Sequence, residues 1–173
     1  VREIMPENKE LIRARNYAFR LLKIRTRSEK ELEFRLKQKN FSPEIINELM
    51  ASLSAAGYLN DLNFAHSWVR ERINRPLGLR RLEFELRQKG IDKEIIESVL
   101  TQAKKDYPER EIAANLVKDK FKKIITKEID YKTKGRIQGY LLRRGFSPDV
   151  VTDVIEDLDR CTSAPEHQRT SKE

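Results

Sequence analysis

The sequence predicts an all-α protein, three tandem three-helix repeats forming an elongated, curved array. An eighteen-residue segment recurs: 32–49 reads LEFRLKQKNFSPEIINEL and 82–99 reads LEFELRQKGIDKEIIESV, identical at nine positions. A weaker third copy, IQGYLLRRGFSPDVVTDV, spans 137–154. Apolar residues recur at helical spacing, and Gly and Pro number only 6 each in 173 residues, too few for a loop-rich β architecture. A unit of roughly 50 residues buries little surface alone, so neighbours should stack.

Each copy reads as two helices around a tight joint. Ser28-x-x-Glu31 has the form of a capping box, which satisfies free N–H groups at a helix start. Leu32 and Leu36 follow at i, i+4, with Phe34 and its counterpart Phe84 expected in the core. Asn40, Gly90 and Gly145 sit where a helix end favours a left-handed residue. An apolar Phe41, Ile91 or Phe146 follows, then a cap at Ser42, Asp92 or Ser147, with Pro43 and Pro148 at the first helical position. A further helix precedes each pair, expected over 9–25, from an Asp61 cap to about Arg75, and over 109–124. Trp68 is read as a core anchor, and Tyr58, Tyr107 and Tyr140 lie near joints. The repeats are placed at 9–57, 58–107 and 108–160, and 161–173, nearly devoid of periodic apolar residues, is expected as a disordered tail.

Charge narrows the function. Lys and Arg number 36 against 28 Asp and Glu, a net +8 that favours an anionic partner: nucleic acid, a nucleoprotein, an acidic protein or a membrane surface. No apolar run approaches the ~18 residues of a membrane span. No secretory leader is visible and Cys161 stands alone, so a cytoplasmic monomer is expected. Catalysis is not expected. Two histidines, His66 and His167, and one cysteine give no metal-ligand cluster or nucleophile pair, and no phosphate-cradling Gly-rich loop occurs. No cofactor and no metal are therefore expected.

The positive signal is basic residues at helical spacing. Arg13, Arg20, Lys23 and Arg27 are expected on one face, opposite Leu11, Ala18 and Leu22. The docking candidates are Arg35 and Lys39 in the first repeat, Arg80, Arg81, Arg87 and Lys89 in the second, and Arg136, Arg143 and Arg144 in the third. Such rows can follow phosphates or an acidic protein groove. A non-specific nucleic-acid-binding repeat protein is the alternative. Sequence-specific readout by helix-turn-helix units is disfavoured, because the starts Pro43-Glu44, Lys93-Glu94 and Pro148-Asp149 each carry an acid that phosphate repels.

Several motifs together resemble the RecX family of bacterial recombinase regulators. They are Tyr17–Leu22, Arg27-Ser28-Glu29-x-Glu31-Leu32 and Leu36-x-x-Lys39-x-Phe41, then Gly57-Tyr58-Leu59-Asn60-Asp61-x-x-Phe64-Ala65-x-x-Trp68-Val69. Gly78-x-x-Arg81-Leu82-x-x-Glu85-Leu86-x-x-Lys89-Gly90-Ile91 completes them. The likeness spans most of 14–155, and the third repeat departs from it most, around Lys120–Thr133. The resemblance implies three tandem three-helix repeats and a non-catalytic modulator. Such a protein binds RecA and its filament on single-stranded DNA, with possible direct DNA contact. It limits filament growth, ATP hydrolysis, strand exchange and co-protease activity.

Overall fold

The computed structural model describes residues 9–124 and 129–163. Among them run nine α-helices and no strand: α1 (Lys9–Ile24), α2 (Glu29–Gln38), α3 (Pro43–Ala55), α4 (Asp61–Arg72), α5 (Leu79–Gln88), α6 (Lys93–Lys104), α7 (Glu109–Phe121), α8 (Tyr131–Arg143) and α9 (Pro148–Ser163). The fold is an all-α tandem repeat. It divides into two compact units, Val1–Trp68 with Glu85–Val99, and Val69–Phe84 with Leu100–Glu173.

In the first unit α3 packs on α1 and α2. Its core gathers Leu11, Ala14 and Ala18 of α1, Leu32 and Leu36 of α2, and Ile45, Ile46, Leu49 and Leu53 of α3. In the second unit α9 packs on α7 and α8, around Val117, Ile137, Leu141, Phe146, Val151 and Val154. The i, i+4 pairs Leu32/Leu36 and Ile137/Leu141 are wholly buried. Phe34 and Phe84 are not core residues: they are 57% and 49% exposed. Each sits two positions past a buried leucine, about 200° round a 3.6-residue helix, so burying the leucine turns the phenylalanine outward.

Several local expectations shift. Ser28 caps α2 by accepting from the Glu31 N–H at 3.2 Å, but the Glu31 carboxylate does not complete the box; it turns to Arg25 and Lys89. Asn60, not Asp61, caps α4 by accepting from the Asn63 N–H at 2.8 Å. Asp61 instead accepts from the Glu29 N–H at 2.9 Å, capping the start of α2 from a distance. Ser147 caps α9 through the Val150 N–H, whereas the Ser42 N–H and hydroxyl both go to Glu10. Trp68 is half-buried, stacked on Phe64 at 5.7 Å, with its indole N–H donating to Glu85. The first helices stop earlier than expected, at Ile24, Arg72 and Phe121. α9 runs to Ser163, three residues into the expected tail; the rest of that stretch, His167 included, lies outside the described residues.

Candidate docking surface

The second helices of the repeats carry both the joints and the basic residues. In the first unit the Ser28 hydroxyl, at the start of α2, donates to the Lys89 carbonyl at the end of α5 (2.6 Å). In the second unit the Gly78 N–H, at the start of α5, donates to the Arg144 carbonyl at the end of α8 (3.0 Å), and the Arg80 N–H donates to the Gly145 carbonyl (3.1 Å). Ser28 and Gly78 are equivalent across the first two repeats, and Lys89 and Arg144 across the last two. The same joint is thus built twice, with a hydroxyl donor replaced by an amide. A helix start offers spare N–H groups and partial positive charge, and a helix end offers the reverse, so the two complement each other.

Around the first of these joints lies a charged cluster. The Glu31 carboxylate meets Arg25 at 2.9 Å and Lys89 at 2.5 Å. The Lys89 ammonium also stands 4.9 Å from the centre of the Trp68 ring. Burial alone would raise the Glu31 carboxyl, but hydrogen bonds from Arg25 and Lys89, and their charges, outweigh it and hold the pKa at about 2. Burial is also the main effect at Asp61, where it raises the carboxyl against the Glu29 hydrogen bond that lowers it.

The expected basic residues therefore divide by environment. Lys89 is engaged by Glu31 and Trp68, and Arg144 reaches the Pro76 carbonyl at 3.3 Å while lying 4.9 Å from the centre of the Tyr140 ring. Arg35 is exposed and donates to Gln38. Arg80, Arg81, Arg87, Arg136 and Arg143 are exposed. Arg27 leaves the expected row: α1 ends at Ile24, and the Arg27 side chain turns back toward the Leu21 carbonyl.

A feature the sequence reading missed stands out on α2 and α5. Lys30, Phe34 and Lys37 occupy i, i+4 and i+7 on α2, and Arg80, Phe84 and Arg87 match them on α5; all six are exposed. The Arg81 guanidinium lies 5.6 Å from the centre of the Phe84 ring. Exposed aromatics flanked by arginine are the residue types that anchor protein interfaces. The signal was present as the repeated Phe between two buried leucines. The third repeat has Gly135, Gly139 and Leu142 at these places and lacks the ridge.

A groove of about 510 Å³ on the first unit is lined by Arg13, Asn16, Tyr17, Arg20, Lys39 and Phe41. Arg20 and Lys39 both lie within 6 Å of the Tyr17 ring centre, at 5.3 and 5.9 Å. No group of three or more His, Cys, Asp or Glu side chains able to hold a metal occurs among the described residues, and no helix there is long and apolar enough to cross a membrane.

Family models for the first, second and third three-helix domains of RecX match residues 14–53, 60–100 and 108–155. A regulatory protein RecX of Mycolicibacterium smegmatis is 36% identical over 82% of this chain and 77% of its own length. One from Haemophilus influenzae (strain PittEE) is 35% identical over 81% of this chain and 91% of its own. The crystal structure of RecX from Lactobacillus salivarius superposes with a TM-score of 0.75 at 27% identity, covering 87% of this chain and 97% of that one.

Proposed function

The chain belongs to the RecX family, and from that premise we propose that it is a non-catalytic modulator of the RecA recombinase. In this reading it binds RecA and the RecA filament on single-stranded DNA. It limits filament growth, ATP hydrolysis, strand exchange and co-protease activity, and it works in the cytoplasm as a monomer, without a cofactor. The carrying observation is the outward basic–Phe–basic ridge repeated on α2 and α5. Phe34 and Phe84 supply apolar area that anchors a protein surface, and the cations around them select acidic surface or nearby phosphate. Two such ridges in one chain raise each other's effective concentration, so individually weak contacts yield slow release. Holding neighbouring filament subunits together in this way hinders the motions that growth and hydrolysis require.

The experiment compares binding to RecA–single-stranded-DNA filaments with binding to free DNA of equal length, while following filament ATPase. The expected result is preference for the filament and a fall in ATPase with added protein. Equal affinity for both, with the steep salt dependence of phosphate contacts, would leave only a non-specific nucleic-acid binder.

A further inference from the structure

We infer that the end of α2 and the groove beside it form a socket for the start of a helix from a partner protein, one bearing a hydroxyl or amide donor at its cap and an acidic residue in its first turn. Lys39, Lys89 and Arg144 stand at one repeat position, each just past the last residue of its helix. Each lies over an aromatic ring: Lys39 over Tyr17, Lys89 over Trp68, Arg144 over Tyr140.

Two of these three helix ends are filled. At Lys89 the carbonyl takes the Ser28 hydroxyl, and the ammonium takes the Glu31 carboxylate. At Arg144 the carbonyl takes the Gly78 N–H, and the neighbouring Gly145 carbonyl takes the Arg80 N–H. Lys39 receives no helix start among the described residues. It is exposed instead beside the groove of Arg13, Asn16, Tyr17, Arg20 and Phe41. Arg13, Arg20 and Lys39 have no carboxylate partner among the described residues.

The filled copies specify the occupant. A phosphate chain would satisfy the three cations, but it would also bring negative oxygens to the carbonyl end of α2, where the helix dipole disfavours them. A helix start brings N–H donors to those carbonyls and aligns the two dipoles head to tail. Its acid then meets Lys39 as Glu31 meets Lys89. One difference sharpens the fit. At Gly90 a Cβ would fall 2.1 Å from the Lys30 side chain, two residues after the Ser28 cap. The first repeat has Asn40 there, in the same left-handed conformation (φ 56°) but with a side chain. The occupant therefore carries a small residue at its second helical position, where α2 has Lys30. This inference holds whichever protein supplies the helix and does not rest on the recombinase reading.

The test titrates the isotope-labelled full chain with a helical peptide beginning Ser-Glu-Ala-Glu, following the Tyr17, Lys39 and Asn40 amides by NMR. Saturable shifts at those amides are expected, with affinity falling about tenfold when the peptide's fourth residue becomes Gln or when the chain carries Lys39→Glu. A peptide with Lys at that fourth place should regain binding to Lys39→Glu. Arg20→Glu, with circular dichroism on both variants, serves as the second variant should Lys39→Glu misfold. Absence of shifts at millimolar peptide, or equal binding of the Gln peptide, would overturn the inference. So would a thymidine oligonucleotide that shifts the same amides more strongly, which makes the groove a nucleic-acid site. Self-association of the chain that disappears in Lys39→Glu would also overturn it, by putting a second copy there.

Discussion

At the scale of the residue, the Glu31 carboxylate accepts from Arg25 and from Lys89, which lies in the next repeat. Burial pushes its pKa up, the two cations push it further down, and the balance takes it from an ordinary 4.5 to about 2. A carboxyl depressed by folding contributes stability that is full above its unfolded pKa and is lost as pH falls toward the folded one. The contribution should therefore fade between pH 4.5 and about 2. Urea denaturation at pH 6 and pH 3 should show Glu31→Gln losing about 2 kcal/mol less than the parent chain between the two conditions. Equal losses would mean that the pair is no more favourable folded than unfolded. The sequence made half of this legible. Ser28-x-x-Glu31 announces a helix start, and Ser28 does cap it. A local motif cannot show that a lysine 58 positions away captures the acid.

At the scale of the element, the second helices explain why the turn residue differs among repeats. Asn40, Gly90 and Gly145 all adopt positive φ, so all three end their helices as their residue types suggest. Only two of them also lie under another helix. A Cβ at Gly145 would meet the Arg81 backbone nitrogen at 2.5 Å, and one at Gly90 would meet the Lys30 side chain, whereas at Gly57 (φ 75°) it would meet nothing within 4 Å. Alanine at any of the three costs roughly 1 kcal/mol for the left-handed backbone. At Gly145 the clash is with backbone that cannot swing aside, adding about 1–3 kcal/mol. At Gly90 the outer carbons of Lys30 can swing aside, and only its Cβ, 2.7 Å away and tied to the backbone, has to shift, so the added cost is smaller. Destabilisation by urea denaturation should therefore rank Gly145→Ala above Gly90→Ala above Gly57→Ala, and a flat series would show that the joints give way easily. The repeat pattern made the helix order and the turn chemistry legible. It left the joints hidden, because Ser28 and Gly78 share no functional group at the equivalent donor position.

At the scale of the whole molecule, a net charge of +8 says that an anion is attractive but not where it binds. Several cations are paired with carboxylates of the chain itself: Lys89 with the part-buried Glu31, Lys134 with Asp159 and, at the surface, Arg110 with Asp157. Composition counts these equally with the exposed Arg80, which is why the candidate residues could be named from sequence while their separation into joint and surface could not. Phe84 adds what charge lacks, an apolar anchor between two arginines on the outward side of α5. If that ridge meets the recombinase filament, reversing Arg80, Arg81 and Arg87 together should weaken filament binding about 10- to 100-fold. Such a change also lowers the net charge, which alone slows association. The control is therefore reversal of the exposed Lys104, Lys118 and Lys122, which changes net charge equally and leaves the ridge intact. Phe84→Ser should weaken binding without any change of charge, chiefly by faster release. Circular dichroism should be unaltered in all three variants. If the lysine control loses as much affinity as the arginine triple and Phe84→Ser loses none, long-range attraction accounts for binding and the ridge does not.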